Sequence, residues 1–184
     1  MIAEDPVARV MHELPYGLYI IGSKEVEGDP STGSGQAKVN GMMADWVMQV
    51  SFSPRLVAVA FENDAHTLGN VRRHGVFTVN LLAADKDSMD FARAFAQPHS
   101  GTKVQGRKGA EATAVRYKLD GLDHRLTARG VPILGAAMAW FECEAEQYLP
   151  IGDHTLVIAR VLDGRVEREA EPMTSTYTGW TYSG

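Results

Sequence analysis

The feature that most constrains the fold is the stretch Asn40 to Pro54, NGMMADWVMQVSFSP. Here Trp46, Met48, Val50 and Phe52 form one apolar set and Asp45, Gln49, Ser51 and Ser53 a polar one, broken only by Val47. That is the period of a β-strand, whose successive side chains point to opposite faces, and it predicts one face in a core. The other face carries short hydrogen-bonding groups and no Lys or Arg until Arg55. Such groups suit a face that meets a ligand, and they equally suit a strand near a sheet edge. The next run, LVAVAF, is apolar without alternation, as in strands buried on both faces.

Further strands are read in YGLYIIGS, VFTVNLL, AAMAWFECEAEQYL and HTLVIARVLDGRVE. In the third of these Ala139, Phe141, Cys143 and Ala145 share a face opposite Trp140, Glu142, Glu144 and Glu146. Three short helices are expected. Pro6 to Glu13 has Asp5 as N-cap, proline at its first position, and Val7, Val10, Met11 and Leu14 on one face. ENDAHTLGNVRRHG has a polar opening, basic residues in its last turn and Gly75 as its stop. SMDFARAFA turns Met89, Phe91, Ala92 and Phe95 inward. EGDPSTGSGQAK and Gln97 to Gly109 are loops by composition. Strands outnumber helices and no regular βαβ alternation occurs, so the expectation is a mainly β chain with peripheral helices, an antiparallel barrel or sandwich. No internal repeat divides it, and residues 1–184 are read as one domain.

At 184 residues, 45% hydrophobic and 22% charged, the chain has the size and composition of a globular domain with a substantial core. A net charge of −5 argues against a phosphate-backbone partner, which needs clustered Lys and Arg. Nucleic acid is therefore not expected. The single cysteine excludes an intramolecular disulfide, the acidic N-terminus is unlike a signal peptide, and no apolar run approaches the roughly 18 residues of a membrane span. A cytoplasmic protein without a membrane partner follows. The six histidines show no HExxH spacing, so no metal site is expected. No G-x-S-x-G elbow is present, and GDPSTGSGQAK lacks the Gly-Lys-Ser/Thr ending of a phosphate loop. Cys143 reads as a small core residue.

Two places carry candidate chemistry. After LVAVAF, Asn63, Asp64, His66 and Thr67 precede a helix whose start leaves backbone N–H groups open to an anion; Asp64 or Thr67 acting only as a cap is the plainer account. In IGDHTLVIA, His154 stands at the start of an apolar strand, where it either meets a ligand or is simply solvated.

Taken in order, PYGLYII, NGMMADWVMQVSFSPRLVAVAF, NDAHT, GVFTVNLL, GVPILGAAMAWFEC and GDHTLVIARVLDG resemble the flavin reductase-like, FMN-binding split-barrel family, most of all the flavin reductase module of flavodiiron proteins. The resemblance spans about Leu14 to Gly164. It implies an antiparallel Greek-key split β-barrel, a homodimer, and FMN, with FAD as the other flavin, near the subunit interface. By position, Met43, Ala44, Asp45, Trp46 and Val47 would lie along the ring and ribityl chain. Ser51, Phe52 and Ser53 would approach the phosphate, His66 and Thr67 would close its site, and Asn80 with Leu81 would border the flavin. His154 would orient the nicotinamide of NAD(P)H or a proton on reduced flavin. Hydride transfer needs the two rings at about 3 to 3.5 Å more than it needs a dedicated acid or base, and the chemistry is the cofactor's.

The implied activity is NAD(P)H:flavin oxidoreduction, with electrons passed to a monooxygenase, a rubredoxin, a diiron protein or a ferric compound. An FMN-binding electron-transfer module without a nicotinamide site is the rival, and a split barrel holding deazaflavin, heme or pyridoxal phosphate a third. Asp45 stands where the family commonly has Ser, and a carboxylate there disfavours an anionic reduced ring. Arg55 is a candidate for the compensating charge or a phosphate contact, and Trp180 and Tyr182 for covering a flavin or a subunit seam.

Overall fold

The computed structural model describes residues 5–25, 38–95, 103–104, 107–108 and 118–180. In chain order the elements are α1 (Pro6–His12), β1 (Tyr19–Lys24), β2 (Val39–Ala44), β3 (Val47–Phe52), β4 (Arg55–Glu62), α2 (His66–His74), β5 (Val76–Leu81) and α3 (Lys86–Arg93). They continue with β6 (Lys103–Val104), β7 (Arg107–Lys108), β8 (His124–Leu126), β9 (Pro132–Leu134), β10 (Ala139–Ile151), β11 (His154–Val166) and α4 (Ser175–Thr178). The polar stretch after Glu25, up to Ala37, and Tyr182 lie outside the described residues. The second expected loop contains the small β6–β7 hairpin.

Seven strands form one antiparallel sheet in the order β2-β1-β5-β10-β11-β4-β3. Its two edges, β2 and β3, are consecutive in sequence and separated only by Asp45 and Trp46, so the sheet must curl to bring its ends together, and β2 touches β4. It does not close by hydrogen bonds, which makes it the expected split barrel.

Alternation sorts side chains to the two faces. Ile21, Val57, Val59, Phe61, Phe77, Val79, Cys143, Val157 and Ala159 fill the inside together with Leu68 and Val71 of α2. Ile20, Leu82, Leu134 and Met173 lie outside, under Ala92 and Phe95 at the end of α3. Cys143 is 0% exposed and burial pushes its thiol pKa far up, so it is an inert core residue. Opposite it on β10, Trp140 and Glu142 are buried too. Glu167 accepts from Trp140 Nε1 at 2.7 Å, and Glu142 accepts from Thr127 at 2.8 Å.

Helix ends follow the sequence. Asp5 accepts from the Val7 N–H at 2.9 Å, and Gly75 closes α2 with φ 71°, a left-handed conformation in which glycine carries no steric cost.

The apolar face of β3, expected in a core, is not in one. Met48, Val50 and Phe52 are 62%, 43% and 86% exposed. Strand β3 is the sheet's last strand, and no other described element covers that face. Val7, Val10, Met11 and Leu14 around α1 are likewise exposed. Periodicity correctly grouped these side chains, but it does not say what lies over them.

Candidate active site at the end of β4

Strand β4 ends at Glu62, and three separate segments meet there. The Ala60 N–H donates to Trp46 O at 3.0 Å, which fixes the β2–β3 junction against β4. His154 opens β11 directly opposite Glu62. After the Asn63 turn, α2 begins at His66, with the Ala65 N–H donating to Glu62 O at 2.9 Å. Antiparallel pairing thus brings residues 46 and 154 to the end of β4, and the chain runs from there within four residues to His66.

The rings of Trp46 and His154 lie 4.9 Å apart, tilted by 40°. His154 Nδ1 donates to Asp153 Oδ1 at 2.7 Å, and that bond holds the Asp153 carboxyl below its ordinary range. Asp45 is partly buried beside them. Desolvation pushes its carboxyl pKa up to about 6; the amides of Asp45 and Trp46 and the charge of His154 oppose the rise, and Glu62 adds to it.

At the start of α2 the N-cap is Ala65, which supplies no side-chain cap, so neither Asp64 nor Thr67 occupies the capping position. Thr67 is 5% exposed. His66 Nε2 lies 2.5 Å from Oε2 of Glu25, a carboxylate only 5% exposed at the end of β1. Glu25 was not among the expected site residues, and no local pattern marks it, because its neighbour His66 is 41 positions away.

Other expected residues fall elsewhere. Met43 and Ala44 pair with Ile20 and Tyr19 on β1, and Ala44 leads directly into Asp45. Val47 follows at the head of β3, half-buried against the inner core. Leu81 lies two strands from Ala44 across Tyr19, about 10 Å at ordinary strand spacing. Asn80 is 0% exposed, donating to Ile20 O at 3.1 Å and accepting from the Leu134 N–H at 3.0 Å. Its side chain ties β9 to the sheet and faces no open surface.

Ser51, Phe52 and Ser53 stand at the opposite end of β4. Ser51 pairs with Leu56, six residues before Glu62 and so about 20 Å from it. Within one chain they do not join His66 and Thr67. Arg55, paired with Phe52, is also at that end and is no counter-charge for Asp45 of its own chain. Trp180 packs half-buried against the outer core and not the inner one.

Two observations bear on whether a flavin fits. The first-turn amides of α2, without a side-chain cap from Ala65, form a donor set suited to a phosphate. Beside this junction the amides of Asp45 and Trp46 are taken up by the Asp45 carboxylate, so what it offers a ligand is the indole of Trp46, 42% exposed. The α2 amides suit an anionic tail and the indole face suits a planar ring.

Comparison with known proteins bears on the same residues. A family profile described as "Flavin reductase like domain" matches residues 11–183. The high molecular weight rubredoxin of Moorella thermoacetica is 26% identical over 170 residues, covering 92% of this chain and 64% of that protein. This chain therefore spans less than two thirds of that relative. A ferric-chelate reductase (NAD(P)H) of Archaeoglobus fulgidus is 26% identical over 164 residues, covering 89% of this chain and 83% of that one. Among solved structures, an NADH:FAD oxidoreductase of Streptomyces globisporus superposes with a TM-score of 0.69 at 24% identity over 92% of this chain and 90% of that one.

Proposed function

Because the chain belongs to the flavin reductase-like domain family, we propose that it is an NAD(P)H-dependent flavin oxidoreductase that takes FMN and passes electrons to a separate acceptor. The observation that carries this reading is the contact of Trp46 with His154 at the end of β4, from which the chain runs within four residues to the start of α2. The names of relatives support it: one acts on a ferric chelate with NAD(P)H, another couples NADH to FAD.

A bound flavin supplies the hydride-accepting chemistry. The chain's own residues do the rest. The α2 amides, His66 and Thr67 would hold the phosphate, and residues 44 to 47, with the ring of Trp46, would border the flavin. His154, fixed by Asp153 and Trp46, orients the nicotinamide. Asp45, mostly ionised at pH 7, would place a negative charge beside a bound ring and lower the driving force for its reduction.

The uncovered apolar faces of β3 and α1 support a homodimer, since such surface on one chain marks a contact. Within one chain the β3–β4 tip, with Ser51, Phe52 and Ser53, stands about 20 Å from Glu62, so any phosphate contact by these residues would be to the partner's site. Relatives named as a rubredoxin and a ferric-chelate reductase support small electron-transfer proteins or ferric compounds as acceptors.

Purified protein is mixed with NADH or NADPH, with and without FMN, and absorbance at the nicotinamide band is followed. Flavin-dependent oxidation of at least one nucleotide is expected. Tight FMN binding without oxidation of either overturns the reductase and leaves an electron carrier, the reading that the rubredoxin likeness favours.

A further inference from the structure

The turn that carries His154 is held from outside its own hairpin. Strands β10 and β11 reverse over Gly152 and Asp153, with Gly152 at φ 58°. A two-residue hairpin tip of this kind ordinarily ends in solvent. Here Asn63 fastens it at three points. Its backbone N–H donates to Asp153 O at 3.0 Å, its Nδ2 donates to Gly152 O at 3.1 Å, and its Oδ1 accepts from the Thr155 hydroxyl at 2.7 Å.

A second layer stands behind this one. Arg72 donates to Thr155 Oγ1 at 3.2 Å and lies 5.9 Å over the ring of Tyr148, whose hydroxyl donates to Val71 O at 3.1 Å. The residues on both sides of His154 are thus tied to the β4–α2 turn. His154 itself meets Trp46 and Asp153. Asn63 is exposed and belongs to neither apolar cluster, so core packing does not account for the arrangement.

We infer that Asn63 is a positioning residue for nicotinamide oxidation: it holds the imidazole of His154 against Trp46, and it acts only through His154. The inference rests on the role given to His154 above. It also joins the two ends of the site, because the turn that clamps His154 runs directly into α2. A displacement of about 1 Å of a group that aligns reacting rings costs up to about a hundredfold in rate.

Four proteins test it: wild type, Asn63→Ala, His154→Ala and the double variant, each with FMN and NAD(P)H. Asn63→Ala is expected to lower kcat/KM for the nucleotide roughly tenfold to a hundredfold, with FMN affinity within twofold of wild type. The double variant is expected to match His154→Ala alone, since two residues acting through one group do not add. Multiplied losses in the double variant overturn the inference. So does a wild-type rate for Asn63→Ala beside an impaired His154→Ala. A wild-type rate for His154→Ala instead overturns the role of His154 itself.

A flavin-free readout stands beside the kinetics. In the apo-protein the imidazole Cε1 proton of His154, identified by its loss in His154→Ala, feels the ring current of Trp46. Asn63→Ala is expected to move that resonance towards the position of an exposed histidine, and Asn63→Asp, which keeps the acceptor for Thr155, to move it less. An unmoved resonance in Asn63→Ala overturns the inference whatever the enzyme does.

Discussion

Asp45 is a carboxylate where the surroundings do not favour one. Burial raises its pKa from 3.8 to about 6. Between those values the folded state holds more protons than the unfolded, so stability falls as pH rises through about 4 to 6, and the penalty is complete above that window. Asp45→Asn removes the titration while keeping an acceptor for the amides of residues 45 and 46. Its gain at pH 8 is on the order of 2 kcal/mol, seen as a melting temperature several degrees above wild type. The two melting curves converge near pH 4, and a gain independent of pH would show that desolvation is not the cause. Glu25 poses a similar conflict at the start of α2, where its carboxylate lies 2.5 Å from His66. Removing its charge in Glu25→Gln is expected to tighten FMN relative to riboflavin by roughly tenfold, a difference of about 1.4 kcal/mol. The ratio of the two dissociation constants isolates the phosphate; an unchanged ratio places the phosphate elsewhere.

Among the strands, β3 is one whose exposure a single chain does not explain. An edge strand presents unpaired backbone groups, and natural edges usually carry charge to stay apart. This one carries Met48, Val50 and Phe52 outward. Met48→Lys with Phe52→Asp introduces that charge, and sedimentation equilibrium is expected to show a dimer for wild type and a monomer for the variant. A wild-type monomer at micromolar concentration would assign the face to another partner. The alternation that identifies β3 as a strand is a local property of the backbone, legible in nine residues. The cover over its apolar face is a property of what packs there, and no pattern within β3 encodes it.

In the whole molecule, one curled sheet separates two cores with different tasks. The inner core contains Phe61, 0% exposed, one residue before the end of β4 where the site assembles. The outer core contains Phe95, 2% exposed, beyond α3. Truncation of either to alanine is expected to cost about 3 to 5 kcal/mol in denaturant unfolding. The two variants should part in function. Phe61→Ala loosens the end of β4 and weakens FMN, whereas Phe95→Ala, assayed well below its melting temperature, leaves FMN affinity unchanged. Equal loss of flavin in both would mean that the sheet transmits core damage as one body.

Strands β1, β3, β4, β5, β10 and β11, the first three helices, the caps at Asp5 and Gly75, the buried run LVAVAF and the core place of Cys143 were set by the sequence acting locally, through period, cap chemistry and apolar runs, whereas the break at Asp45 and Trp46 that makes β2 a separate strand was not. Family likeness nominated Trp46, His66 and His154, each beside a recognisable short stretch. Only the tertiary structure decided that Glu25 meets His66, that Asn63 clamps the turn of His154, and that Ser51 to Ser53 stand a strand's length from Thr67. Those outcomes depend on strand register and on the curl of the sheet. Register and curl arise from contacts between residues far apart in the chain, which no local window contains.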